Sequence, residues 1–176
     1  MASKLTSTIL KQANDIEDVN ERANWLRENA TYAVRGLLNF NFHPDVKFLL
    51  PEGEPNLEGL KIKKEAEDYV LGTEFSHLNS EMRKMYLFYE GGHPELQQHK
   101  RESLWVTLIT GLHEEERDDL SKMKDKKLQE KYPNITQEVG HLAFPDLVLK
   151  PTPIKELVRD NKGRYAKKTK KKEAKK

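Results

Sequence analysis

Cysteine is absent from all 176 residues, which excludes disulfides, thiolate zinc sites, iron–sulfur clusters and cysteine nucleophiles. Long apolar runs are missing too. None approaches the roughly 18 residues needed to cross a bilayer, and the opening Met1-Ala2-Ser3-Lys4-Leu5-Thr6-Ser7 has no apolar stretch of the secretory kind. The expectation is a soluble, intracellular chain with no membrane partner, so the Asn-x-Thr triplets at Asn29 and Asn134 read as incidental. Hydrophobic residues make up 36% and aromatics 8%, whereas 34% are charged, against about 25% in an average globular domain. Such a chain builds a modest core beneath a strongly solvated surface.

Catalytic and metal signatures are equally scarce. His113-Glu114-Glu115-Glu116-Arg117 has arginine where a zincin needs its second histidine. It reads instead as a helix start whose acidic first turn complements the dipole. His43, His77, His93, His99, His113 and His141 show no diagnostic ligand spacing, so no metal is expected. Gly91-Gly92 lacks the lysine and hydroxyl of a phosphate loop and the third glycine of a dinucleotide site, which leaves a helix-ending turn. No Gly-x-Ser-x-Gly elbow occurs, and neither a catalytic residue nor a cofactor is assigned.

What the chain does have is a separation of charge. Residues 162–176 carry nine cations, Lys162, Arg164, Lys167, Lys168, Lys170, Lys171, Lys172, Lys175 and Lys176, against Glu173 alone. Of the 31 basic and 29 acidic residues, that leaves 22 and 28 over residues 1–161. An acidic body of net −6 thus precedes a tail of net +8, although the whole chain stands at +2. Ammonium groups on a mobile segment displace counterions from a polyanion, with a salt slope of roughly 0.9 per phosphate on duplex DNA. Those nine residues are the candidate nucleic-acid-binding set, sequence-blind because Tyr165 is the tail's lone aromatic and cannot make a stacking platform.

The body reads as all-α, a small bundle of about seven short helices over residues 1–148. A proline-containing spacer over 149–161 and a disordered lysine-rich tail over 162–176 follow. Apolar spacing predicts a helix through Leu5, Ile9 and Leu10. A second is capped by Asp18 with Glu21 reaching back, and a third runs from Ala30 to Asn39 with Ala33, Val34, Leu37 and Leu38 inward. Residues 40–64, broken by Pro44, Pro51, Gly53, Pro55 and Gly59, predict an ordered loop pinned by aromatics, with a short strand at Val46–Leu49. A weak helix follows over Glu65–Leu71. Leu78, Met82, Met85, Tyr86 and Tyr89 predict one face of a helix started by Asn79 or Ser80 and ended by Gly91-Gly92. A partner helix opens at Pro94 and carries Leu104, Trp105, Leu108, Ile109 and Leu112, packed as an antiparallel hairpin. Helices over Glu114–Lys124 and from an Asn134 cap to Phe144 complete the body. Phe40, Phe42 and Phe48 are the candidate partner-binding residues, since an aromatic loop left partly exposed makes a docking patch.

Four blocks occur in a fixed order: Phe48-Leu49-Leu50-Pro51-Glu52-Gly53-Glu54-Pro55, Met85-Tyr86-Leu87-Phe88-Tyr89-Glu90-Gly91-Gly92-His93-Pro94, Lys124-Asp125-Lys126-Lys127-Leu128 and Phe144-Pro145. Together they resemble an uncharacterised family of small proteins of T-even-type tailed phages, including cyanophages, over about residues 3–148. The family's function is unknown, so the resemblance implies only a phage-encoded protein acting in the cytoplasm of an infected bacterium, or in the virion. The lysine tail and the stretch between Pro55 and Asn79 look unlike its compact members. The expected role is a non-enzymatic accessory protein whose tail binds nucleic acid or a ribonucleoprotein while the acidic body docks a protein partner. Two alternatives stand beside it: a virion structural or assembly protein, and an enzyme whose site the sequence does not disclose.

Overall fold

A computed structural model describes residues 5–57 and 76–149. The weak helix expected over Glu65–Leu71, the spacer beyond Leu149 and the tail residues Lys162–Lys176 lie outside the described residues. Within them the architecture is all-α, with eight helices and no strand. The helices are α1 (Thr6–Asn14), α2 (Val19–Asn29), α3 (Tyr32–Phe42), α4 (Leu78–Glu81), α5 (Gln98–Thr110), α6 (Glu114–Lys124), α7 (Leu128–Lys131) and α8 (Gln137–Ala143), and a 3-10 segment, Met82–Leu87, continues α4. None is long and apolar enough to cross a membrane.

Helix α3 is the hub. Its Ala33, Val34, Leu37 and Leu38 are buried and packed with α6 on one side and with α1, α4 and α8 around it. Helix α2 packs most closely on α8, and one core joins Leu10, Leu26, Ile109, Leu112, Leu120 and Tyr132. As expected, Asp18 caps α2, accepting hydrogen bonds from the amides of Asn20 and Glu21 at 2.9 and 2.8 Å. His113 Nδ1 likewise accepts from the Glu115 amide, and Glu114, Glu115 and Glu116 fill the first turn of α6.

Several expectations need correction. Helix α3 starts at Tyr32, behind a Thr31 cap, and runs on through Phe42, so Phe40 and Phe42 belong to its last turn rather than to a loop. The strand expected at Val46–Leu49 is a single antiparallel bridge between Phe48 and Tyr89. The Leu49 amide donates to the Phe88 carbonyl and the Glu90 amide to the Lys47 carbonyl. The long helix expected from Leu78 to Tyr89 is one α-turn followed by the 3-10 segment. At three residues per turn, Met82, Met85 and Phe88 line up inward, 3%, 1% and 1% exposed, whereas Tyr86 turns out to 47%. The 3.6-residue period selects Tyr86 and Tyr89 because it assumes the wrong winding. Helix α5 begins at Gln98, four residues after Pro94, since residues 91–96 form turns that the buried Arg101 gathers. Its Nε donates to the Leu87 carbonyl at 2.8 Å and its Nη2 to the His93 carbonyl at 3.0 Å. Helix α8 is capped by Thr136, not Asn134, whose side chain and amide are instead bonded to Asn14.

Candidate functional site

The three phenylalanines part company. Phe40 and Phe48 meet edge to face at 6.0 Å between centroids, and Tyr89 joins Phe40 at 5.7 Å. Phe42 lies elsewhere, its ring beside Gly140 of α8. All three are half-buried and packed against the core, so they form two supports rather than one patch. The nine tail cations lie outside the described residues.

The histidines serve local geometry. His43 Nδ1 accepts from the Asp45 amide, His141 Nδ1 lies 2.8 Å from the Val148 carbonyl oxygen, and His93 stacks on Tyr86. Among the described residues, no group of three histidine or carboxylate side chains is placed to hold a metal ion. Gly91 sits at φ +84°, and a Cβ on Gly92 would fall 2.0 Å from the Tyr86 carbonyl oxygen, so both glycines are demanded by the turn.

Sequence reasoning missed the buried carboxylates of α6. Glu116 is 2% exposed, and its two oxygens accept the amides of Thr6 and Leu78, each at 3.0 Å. Those amides open α1 and α4, and Glu116 itself stands in the first turn of α6. Three positive helix ends thus converge on one carboxylate, which explains how it stays buried without a cationic side chain bonded to it among the described residues. One turn on, fully buried Asp119 accepts from Lys131 Nζ at 2.6 Å and Tyr132 Oη at 2.9 Å, and its second oxygen has no partner among the described residues. Burial lifts the Asp119 carboxyl to about 6 against the pull of Lys131 and Tyr132, and burial beside Asp119 pushes the Tyr132 phenol up as well. Lys131 also pairs with Asp118 at 2.7 Å. A groove of about 500 Å³ opens over this cluster, lined by Glu54, Glu114, Glu115, Arg117, Asp118 and Lys131 among others. Asp119 is not among its lining residues, and Glu115, held below the usual carboxylate range by its bond to Lys11, is already engaged.

A second concavity is apolar. The segment Leu50–Pro55 is drawn toward α5 and the end of α6 by three polar ties. Lys124, only 5% exposed, donates from Nζ to the Pro51 carbonyl at 2.7 Å. Asp125 accepts the Gly53 amide at 2.9 Å, and Gln98 Nε2 donates to the Leu49 carbonyl at 3.0 Å. Between that segment and Glu102, Trp105 and Val106 of α5 lies a cleft of about 150 Å³. Its floor is Leu50, Pro51, Pro55, Trp105 and Val106, and its charged lining residues, Glu52, Glu54 and Glu102, are all acidic. Trp105 is 3% exposed and stands edge to face with Phe88 at 5.1 Å, and its indole N–H has no acceptor among the described residues. No sequence signal marks this cleft, because its walls lie about fifty residues apart.

A model of a family of unknown function, DUF6433, matches residues 9–130. The chain belongs to that family. The DUF6433 match takes in both walls of the apolar cleft together with Glu116 and Asp119, and it stops short of Lys131, Tyr132, α8 and the tail. No curated protein and no solved structure matches the chain.

Proposed function

We propose that this DUF6433 chain is a non-enzymatic accessory protein that binds nucleic acid or a nucleoprotein complex through Lys162, Arg164, Lys167, Lys168, Lys170, Lys171, Lys172, Lys175 and Lys176. The carrying observation is the charge separation, +8 over residues 162–176 against −6 over residues 1–161. Counterion release makes the tail a sequence-blind polyanion ligand, while the body repels phosphate. The body's part is to dock a protein. In support, Leu104 is 42% exposed at the edge of a groove of about 180 Å³ that also involves Leu87, Phe88 and Leu108. The geometry of the buried carboxylates agrees with this reading, since Glu116 caps two helices and Asp119 is sealed beneath its partners. The setting we propose is phage infection, in the host cytoplasm or in the particle, which rests on the sequence blocks alone. The test is titration of labelled duplex DNA and RNA with the intact chain and with a full-length variant whose nine tail cations are glutamine. Binding confined to the intact chain supports the proposal. Equal binding by the two sinks it.

A further inference from the structure

We propose that the cleft between Leu50–Pro55 and α5 is a docking site for an aromatic side chain flanked by cations, and that its occupant is the chain's own Arg164-Tyr165-Ala166-Lys167. The size fits: a pocket of about 150 Å³ accepts a benzene-sized ring, and the apolar floor of Leu50, Pro51, Trp105 and Val106 suits one. The charge fits as well. Glu52, Glu54 and Glu102 line the cleft with no cation among the lining residues; Lys127, outside it, pairs with Glu52 at 2.9 Å, which leaves Glu54 and Glu102 to face Arg164, Lys167 and Lys168, the cations that bracket Tyr165. Tyr165 is the single aromatic among the fifteen tail residues, so the tail has one ring to offer, placed among its charges. The Trp105 side chain lines the cleft, so its indole resonance reports on what fills it.

Reach is sufficient. Tyr165 lies sixteen residues beyond Leu149, a stretch that spans up to about 55 Å when extended. A body of this size is about 40 Å across. The three ties from Lys124, Asp125 and Gln98 fix the Leu50–Pro55 wall, so the cleft is preformed rather than induced. This docking goes beyond the polyanion reading. Its test contains no nucleic acid, so the failure of either leaves the other standing.

The experiment uses the intact, isotope-labelled chain in solution. The Trp105 indole N–H resonance is assigned with Trp25→Phe, and proximity between the Tyr165 ring and the Val106 methyls is sought by nuclear Overhauser spectroscopy. The expected result is a set of Tyr165–Val106 cross-peaks that survives dilution. Tyr165→Ala should abolish it and shift the Trp105 indole resonance. Glu54→Gln combined with Glu102→Gln should move that resonance partway toward its Tyr165→Ala position. A peptide spanning Lys162–Lys172, added to the Tyr165→Ala chain, should restore the original resonance. Four results overturn the proposal. They are an indole resonance that ignores Tyr165→Ala, Val106 cross-peaks to residues 58–75 instead, cross-peaks that vanish on dilution and so assign the occupant to a second copy, and equal rescue by a peptide without the tyrosine.

Discussion

Replacing Glu116 with glutamine tests whether one carboxylate truly holds the amino ends of α1 and α4. In the native protein Oε1 and Oε2 each accept one amide at 3.0 Å, from Thr6 and Leu78, in a site 2% exposed. Hydrogen bonds to a charged group are each worth about 1.5–3 kcal/mol. Glutamine keeps one of them as a neutral bond of about 1 kcal/mol and turns its NH2 toward the other amide, donor against donor. The expected loss is about 3 kcal/mol, and Glu116→Ala, which orphans both amides, should lose about 5 kcal/mol. With a urea slope of about 2 kcal/mol per M, the glutamine variant should unfold about 1.5 M earlier, followed by tryptophan fluorescence. Hydrogen exchange supplies the specific signature. The Thr6 and Leu78 amides should lose protection, while Asn20 and Glu21, which Asp18 caps, should keep theirs. A Glu116→Gln midpoint within about 0.3 M of the native one, with Thr6 and Leu78 still protected, would refute the reasoning.

Three further outcomes follow from the same packing. Asp119 rises from 3.8 to about 6 on folding, so the stability tied to its protonated form is full below pH about 4 and is lost as pH climbs through 6. That is about 3 kcal/mol, visible as a slope in urea midpoints between pH 4 and 7 that Asp119→Asn should flatten. Phe88→Ala should cost about 3–5 kcal/mol, whereas Tyr86→Ala should cost less than about 1 kcal/mol; thermal unfolding of both tests the 3-10 winding, and the reverse order would restore an α-helix there. Gly92→Ala drives a methyl to 2.0 Å from a backbone oxygen and should destabilise by more than about 2 kcal/mol in the same assay, well beyond an ordinary surface substitution.

Two of the elements legible in the sequence carry their end signals locally. Helix α2 carries Asp18 at its own start, and α6 has His113, three glutamates in its first turn, and Lys122 and Lys124 in its last. Other starts are held from afar, with or without a local cap. The amide of Ala33 in α3 is taken by Asn79, that of Leu128 in α7 by Asn41, and those opening α1 and α4 by Glu116. A short helix needs such help, because its orphan amides are a large share of its backbone. No local window shows a cap that is 38 to 110 residues away. The same reason hides the Trp105 cleft, whose two walls meet only after Lys124 and Gln98 have drawn the Leu50–Pro55 segment inward. The tail, by contrast, is legible from composition alone, since its charge needs no fold to exist.

The most direct test of that charge separation is the salt dependence of duplex DNA binding, measured as the slope of log Kobs against log salt. The intact chain should give a slope near about −5, as five or six neutralised phosphates require, and the variant with glutamine at the nine tail positions should bind at least about 100-fold more weakly with a slope near zero. A slope unchanged by that replacement would place the polyanion contact on the acidic body and contradict the account.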